Sequence, residues 1–211
     1  MLWCDYNEFY VMNRIKCIVS YDGSKFHGFQ VQNQFRTVQG EIQKAIKNIC
    51  KDESIVIHAS GRTDAKVHGR RQVFHFDTLR EMPEKQWKRA IHHFLPNDIY
   101  IIDSFLVDEN FHSRYSATKK EYHYMLSMND YSPFETNYIY QYGKELDIEA
   151  MRKAAKIFIG EHDFASFCAV DQYGNTIRTL YQIEIENNRG IVTFKLVGNG
   201  FRRYTVSSAI S

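Results

Sequence analysis

The sequence predicts an α+β protein in which two split β-α-β halves form one mixed, mostly antiparallel sheet with flanking helices. Short runs of alternating apolar residues, rich in β-branched and aromatic side chains, indicate strands. Longer segments between these runs repeat apolar residues at helical spacing. The order in the first half is β-α-β-β-α-β, and the same order begins again in the second half, which indicates a topological repeat.

The first half opens with a predicted strand at residues 14–21, led in by Met12. The helix after it has Thr37 in position to cap its N-terminus. Its apolar residues share one helical face: Val38, Ile42, Ala45, Ile46 and Ile49. One helix therefore follows the first strand.

Two short β-rich runs come next, at residues 54–59 and 72–77, and a glycine-bounded loop separates them. Pro83 can open a second helix. The residues on the shared face of that helix are Trp87, Ile91 and Phe94. Residues 98–103 then close the unit as another strand.

The second half starts with a strand at residues 120–128. Alternate residues of this strand fall on one face: Tyr122, Tyr124, Leu126 and Met128. A helix follows between Asp147, a candidate N-cap, and Gly160, a candidate stop. Its apolar stripe comprises Ile148, Met151, Ala155 and Phe158. Strands at 176–186 and 191–198 are joined by a turn.

We expect the chain to divide into an N-terminal half at residues 12–112 and a C-terminal half at 113–211, with residues 1–11 as a non-native or disordered extension. Completing the repeat requires one more helix and one more strand. Only eleven residues follow Gly200, and they show no amphipathic pattern. The sequence therefore predicts that the second half is incomplete and lacks its final helix and strand.

A chain of 211 residues can bury a substantial core. Its formal net charge of +2 does not indicate a nucleic-acid-binding protein, so such a function must rest on local basic clusters. Four cysteines without paired spacing argue against a zinc site or a disulfide framework and fit a reducing cytoplasm. Because the sequence contains neither a membrane-spanning apolar run nor a signal peptide, we expect a soluble cytoplasmic protein.

The loop at residues 60–71, SGRTDAKVHGRR, is the most informative segment for function. It places one carboxylate, that of Asp64, between glycines and among cations. Glycines let the backbone approach a ligand closely, and the cations attract phosphate. The carboxylate is therefore placed for chemistry on a polyanion. The alternative is that Asp64 only braces a turn or caps a helix.

This loop resembles the active-site loop of the pseudouridine synthases, specifically of the tRNA pseudouridine synthase A family, whose pattern is GRTDAGVH. Six further segments resemble that family in the same order: YDGSKFHGFQVQN, RTVQGEIQKA, LPNDI, FHSRYSATKKEYHY, FASF and GNGF. The match spans Met12 to Phe201. The resemblance implies the pseudouridine synthase fold, with two ferredoxin-like halves.

The resemblance also implies an activity, which is the isomerisation of uridine to pseudouridine in the anticodon stem-loop of tRNA. It implies a homodimer that needs neither a metal nor an organic cofactor. The reaction involves neither redox change nor hydrolysis, so one anionic side chain in a closed pocket can suffice. A uridine within a stem must first leave the base stack, and that step costs free energy.

By resemblance Asp64 is the catalytic residue. Whether its carboxylate attacks the sugar, attacks the base or removes a sugar proton stays open. Tyr122 matches the tyrosine that packs against the target base, an interaction worth about 1 to 3 kcal/mol. Arg62 matches the arginine that fills the vacated stack or grips phosphate, and its alternative role is to pair with Asp64.

Other residues are candidates for contact with RNA through charge and hydrogen bonding. They are Arg36, His68, Arg70, Arg114, Lys119 and Lys120. Taken alone, the cations are equally consistent with a solvated surface. His68 lies inside the family motif, where we expect it to order the loop.

Two departures from the family pattern bear on activity. Lys66 replaces a glycine, which costs about 1 kcal/mol or more if that position requires a positive φ. Ser207 stands where register places a family arginine, and the family's remaining tail is absent. We therefore expect the residues after Phe201 to come from a frameshifted, truncated or misassembled reading frame, and this form to be unstable or poorly active.

Two other functions compete with that of an active isomerase. One is an RNA-binding or tRNA-folding paralogue that has lost turnover. The other, more distant, is a metal-dependent nuclease, which His58, His68 and His75 suggest. These histidines do not supply a ligand triad at helical spacing, so we predict that the protein binds no metal.

Overall fold

The computed structural model describes residues 12–167 and 175–201. The chain divides into two compact units, with the boundary between Ala117 and Thr118. Each unit has its own sheet and its own hydrophobic core. The expected extension at residues 1–11, Ser207 and the other residues from 202 onward lie outside the described part of the chain.

The first unit follows the predicted order β-α-β-β-α-β. Its elements are β1 (Asn13–Tyr21), α1 (Val38–Cys50), β2 (His58–Ala59), β3 (Gly69–Thr78), α2 (Glu84–Phe94) and β4 (Ile99–Val107). A short 3-10 helix at Gly23–Lys25 follows β1. The sheet order is β2-β3-β1-β4, and every pair is antiparallel. This arrangement is a split β-α-β unit with β1 at its centre.

Helix α1 forms as its sequence predicts. The Thr37 hydroxyl accepts a hydrogen bond from the Gly40 N–H at 3.3 Å, which caps the helix. All five apolar residues of the predicted face are buried. In α2 the prediction holds for Trp87 and Ile91, but Phe94 is 46% exposed because it is the last residue of the helix and lies beyond the core.

The strand predicted at residues 54–59 is shorter than expected, because only its last two residues pair with β3. Ile55 and Ile57 are buried, which explains the alternating pattern. The Ile57 N–H donates to Gln43 Oε1 at 3.4 Å, and its carbonyl accepts from Gln39 Nε2 at 3.2 Å. Side chains of α1 therefore satisfy backbone groups that a neighbouring strand would otherwise take.

The second unit contains the predicted strands and helix together with two short strands that the sequence did not predict. Its elements are β5 (Lys120–Ser127), β6 (Tyr140–Gln141), α3 (Ile148–Ala155), β7 (Gly160–Asp163), β8 (Ile177–Asn188) and β9 (Ile191–Gly198). The sheet order is β6-β5-β9-β8-β7. Asp147 caps α3 as predicted, accepting from the Ala150 N–H at 2.9 Å. The unpredicted strands, β6 and β7, have only two and four residues.

The α+β class is confirmed, but the described strands form two sheets where the sequence predicted one. Each sheet is completed by pairs within its own unit. Strand periodicity shows that a segment pairs, whereas it does not show with which strand, and neighbouring strands in sequence pair most often. Within the described ranges, no helix is both long and apolar enough to cross a membrane.

Candidate active site

The loop between β2 and β3, called here the motif loop (residues 60–68), is hydrogen-bonded to the segment after β1. The Phe29 N–H donates to the Thr63 carbonyl at 3.1 Å. The Lys66 N–H donates to the Phe26 carbonyl, also at 3.1 Å. These two bonds lie on either side of the loop's aspartate along the chain, so they hold the backbone on both sides of it.

Tyr21, the last residue of β1, forms side-chain hydrogen bonds that hold the motif loop in position. Its hydroxyl donates to Gln72 Oε1 at 2.6 Å and lies 2.9 Å from Thr63 Oγ1. Because a tyrosine hydroxyl has one proton, the Thr63 hydroxyl donates to it. Gln72 Nε2 in turn donates to the Gly61 carbonyl at 2.6 Å. The buried Tyr21 thus links the start of the loop to β3.

Two glycines allow the same segment to lie directly against the motif loop. A Cβ placed on Gly23 would come within 2.0 Å of the Val67 carbonyl oxygen. A Cβ on Gly28 would lie 2.8 Å from the Thr63 carbonyl oxygen, and Gly28 also has a φ of +94°. Only glycine fits both positions without displacing backbone.

His68 attaches the far end of the motif loop to the 3-10 helix. Its Nδ1 accepts a hydrogen bond from the Gly23 N–H at 3.1 Å and lies 3.2 Å from Asp22 Oδ1. The same Asp22 oxygen accepts from the Ser24 N–H at 2.9 Å. These contacts favour the interpretation of His68 as a residue that orders the loop.

Asp64 is exposed, although the backbone on both sides of it is held by hydrogen bonds. The cations of the surrounding sequence are exposed as well: Arg62, Lys66, Arg70 and Arg71. A carboxylate presented among exposed cations can meet a polyanion such as RNA, whose phosphates the cations attract. The loop therefore combines a constrained main chain with accessible charged groups.

Lys66 adopts a φ of +65°, the left-handed conformation. A lysine in this conformation costs about 1 kcal/mol or more relative to the glycine of the family pattern. The Lys66 N–H is also the donor to Phe26. The hydrogen bond to Phe26 therefore stabilises the left-handed conformation of Lys66 and also positions the motif loop.

Tyr122 lies in the second unit, on β5, where it pairs with Leu196 of β9. It is half-buried, and its ring centroid is 4.8 Å from that of Phe201 at an angle of 67°. Tyr124 packs against the core of its unit near Phe194, and burial raises the pKa of its hydroxyl. Tyr124 thus packs against the core of its unit.

Arg36 is engaged by acidic partners of its own unit. Its guanidinium forms a bidentate pair with Asp98, at 2.7 and 2.9 Å, and its Nε lies 3.0 Å from Glu41. It also lies 4.1 Å from the Phe26 ring centroid. This geometry favours a structural role for Arg36 over the RNA contact considered from the sequence.

The other basic candidates lie beside tyrosines or on a strand. The exposed Arg114 lies 6.0 Å from the Tyr115 ring, and Lys119 Nζ lies 5.2 Å from the Tyr181 ring. Lys120 is the first residue of β5. Arg114 and Tyr115 belong to the first unit, whereas Lys119 and Tyr181 belong to the second.

Three histidine rings form a cluster: the centroid of His75 lies 5.0 Å from that of His58 and 4.8 Å from that of His112. His75 is buried, and burial lowers its pKa to about 4. Its Nδ1 lies 2.9 Å from Ser113 Oγ, which donates to the His58 carbonyl. Within the described part of the chain, no three His, Cys, Asp or Glu residues are arranged to hold a metal.

The fold and the motif loop together are those of a pseudouridine synthase. The sequence profile of the tRNA pseudouridine synthase family matches residues 17–116 and 154–210. The chain belongs to this family, which confirms the resemblance.

The chain is similar to tRNA pseudouridine synthases of several bacteria. The tRNA pseudouridine synthase A 1 of Bacillus cereus (strain ATCC 10987 / NRS 248) is 46% identical over 192 residues, which cover 90% of this chain and 78% of the relative. The tRNA pseudouridine synthase A of Anoxybacillus flavithermus is 41% identical over 191 residues, with the same coverage. That of Oceanobacillus iheyensis is 45% identical over 193 residues, covering 90% of this chain and 76% of the relative.

Sequence reasoning assigned no role to Tyr21, Gly23 or Gln72, although they fasten the motif loop. Gly23 lies within a segment that resembles the family, and a glycine beside a strand end is a turn signal. Neither clue identifies the partner, because Tyr21 and Thr63 are 42 positions apart. Only the folded chain brings them together.

Proposed function

We propose that this chain isomerises uridine to pseudouridine in tRNA, with Asp64 as the catalytic carboxylate. In this reaction the bond from N1 of the base to C1′ of the ribose breaks, and a bond from C5 to C1′ forms. The proton on C5 is lost and N1 gains one, so atoms and electrons balance without an added reactant. The family of the chain and the names of its relatives support this activity.

The observation that carries the proposal is the exposure of Asp64 on a fastened loop. The two backbone bonds from Phe26 and Phe29, together with the Tyr21 hydroxyl, constrain the motif loop on both sides of the carboxylate. A group that must meet a reacting atom within bonding distance benefits from such constraint, since misplacement by 1 Å costs about a hundredfold in rate.

The proposal extends to the position of the target uridine in tRNA and to the oligomeric state of the enzyme. The substrate is a uridine in the anticodon stem-loop, which is extruded, stacked on Tyr122 and replaced in the helix by Arg62. Arg70, Arg114, Lys119 and Lys120 contact the RNA backbone. The enzyme works as a homodimer, as the resemblance implies, and in the cytoplasm, as its cysteine usage favours.

An assay on tRNA transcripts tests the proposal, since pseudouridine retains a carbodiimide adduct that uridine loses in alkali. Asp64→Asn removes the charge with little change in shape, and we expect at least about a hundredfold slower modification. Its tRNA affinity should stay near that of the wild type. The matched control is Asp130→Asn, an exposed aspartate of the second unit.

Modification that persists in Asp64→Asn at the rate of the control would contradict the catalytic role. Binding of tRNA by the wild-type chain without any modification would favour the paralogue that only binds RNA. Inhibition by chelators would revive the nuclease alternative.

A further inference from the structure

The segment between the 3-10 helix and α1 forms a closed loop at residues 27–36, called here the amide loop. The His27 N–H donates to the Arg36 carbonyl at 3.0 Å, which closes its base. Gln32 Nε2 donates to the His27 carbonyl at 2.7 Å, and Gln32 pairs with Phe35 in an isolated antiparallel bridge. The loop is thus fixed at its base and across its middle.

Phe35 presents an aromatic ring on this loop. The rings of Phe35 and His27 are stacked, with centroids 4.4 Å apart and an angle of 27° between the planes. Phe35 is nevertheless 50% exposed. A single exposed apolar residue is ordinary on a protein surface. Phe35 differs from such a residue, because its ring is stacked and its loop is hydrogen-bonded at two places, so that the orientation of the ring is restricted.

The amide loop is joined to the motif loop next to Asp64. A Cβ on Gly28 would lie 3.4 Å from the Asp64 carbonyl carbon and 2.8 Å from the Thr63 carbonyl oxygen. Phe29, the next residue, donates its N–H to that same Thr63 oxygen. His27, which stacks on Phe35, is therefore followed directly by Gly28, which lies against the backbone of Thr63 and Asp64.

The chemistry of the amide loop fits a nucleic-acid base better than a phosphate. Residues 27–35 contain no Lys, Arg, Asp or Glu. Four exposed side chains of this loop are amides, those of Gln30, Gln32, Asn33 and Gln34, and the apolar Val31 is exposed among them. Amides donate and accept hydrogen bonds at base edges, and an aromatic ring stacks on a base of any identity.

We infer that Phe35 is the stacking surface for an unpaired base adjacent to the target uridine, with His27 as the residue that positions the ring. This inference rests on the proposed function. Arg62 takes the place of the extruded uridine between paired neighbours. An unpaired base next to the uridine has no pairing partner to keep it in the helix, so it needs a stacking partner of its own once the uridine has left. The ring of Phe35 supplies that partner, because its loop lies against the backbone of Asp64 through Gly28.

The test uses a tRNA anticodon stem-loop with 2-aminopurine next to the target uridine, because the fluorescence of this base reports stacking. It is carried out in the Asp64→Asn background, so that binding is measured without turnover. We expect Phe35→Ala to weaken RNA affinity about tenfold and to abolish the fluorescence change, since stacking is worth about 1 to 3 kcal/mol per base. Phe35→Trp should retain both.

The matched control is Phe94→Ala, which removes another half-exposed phenylalanine that lies against a histidine, His93. We expect it to leave affinity and fluorescence unchanged. Equal affinities for Phe35→Ala and Phe94→Ala would overturn the inference. A wild-type chain that binds and stacks the RNA but does not modify it would overturn the proposed activity alone, whereas failure to bind the RNA would overturn both.

Discussion

The Val67 carbonyl oxygen lies where a side chain on Gly23 would have to be, since a Cβ at position 23 would come within 2.0 Å of it. This contact joins the turn after β1 to the end of the motif loop. Both partners are main-chain groups, so neither can move aside as a flexible side chain would. Glycine is therefore a packing requirement at position 23.

Gly23→Ala should destabilise the protein by about 1 to 3 kcal/mol, because the added methyl group overpacks a backbone contact. Denaturant unfolding measures the change. The control is Gly200→Ala, where the nearest atom to a Cβ among the described residues is Nε of the Arg178 side chain at 3.6 Å; the unfolding free energy should change by less than about 0.5 kcal/mol. An unchanged unfolding midpoint for Gly23→Ala would show that the loop shifts freely.

Lys66→Gly should stabilise the protein by about 1 kcal/mol, because it relieves a left-handed conformation at φ +65°. Thermal unfolding at several denaturant concentrations measures the gain. Lys144→Gly is the control, since Lys144 is exposed and is not among the non-glycine residues with positive φ. That variant should be neutral or less stable, and an equal gain in both would point to a general effect of losing a lysine.

Tyr21→Phe should slow modification about ten- to a hundredfold without a comparable change in KM for tRNA, because Thr63 of the motif loop loses its bond to the Tyr21 hydroxyl. The hydroxyl that it removes bonds to Thr63 and Gln72. We expect a loss of stability of about 1 kcal/mol. Tyr100→Phe, at a half-exposed tyrosine of β4, is the control. A change in KM alone would instead assign Tyr21 to substrate binding.

Protonation of His75 should lower the unfolding free energy of the protein as the pH falls. Burial lowers its pKa from the ordinary 6.5 to about 4, so the unfolded chain takes up a proton at a higher pH than the folded chain. The contribution is fully present above pH 6.5 and is lost as the pH falls towards 4, by about 3 kcal/mol at most.

Unfolding free energies of the wild type and His75→Gln, measured between pH 7.5 and 4.5, test this dependence. We expect the wild type to lose more stability than the variant. The variant should keep a smaller slope, because burial also lowers the pKa of His112. His93→Gln, at an exposed histidine, should behave as the wild type. Parallel curves for His75→Gln and the wild type would exclude His75 as the source.

Local features of the fold could be predicted well. The cap residues Thr37 and Asp147 and the apolar face of α1 depend on residues within four positions of one another, so the sequence contains all that is needed. The motif loop was likewise recognisable, because its glycines and charges are contiguous. Residues 54–57 were mistaken for strand, since burial against α1 produces the same alternation as pairing in a sheet.

The sequence by itself determined the α+β class, the element order of the first unit and the family, because each depends on periodicity or on contiguous motifs. Only the tertiary structure decided which strands pair, that Asp64 is exposed on a hydrogen-bonded loop, and that Arg36 forms an ion pair with Asp98. Those features depend on contacts between residues far apart along the chain, and such contacts leave no periodic trace in the sequence.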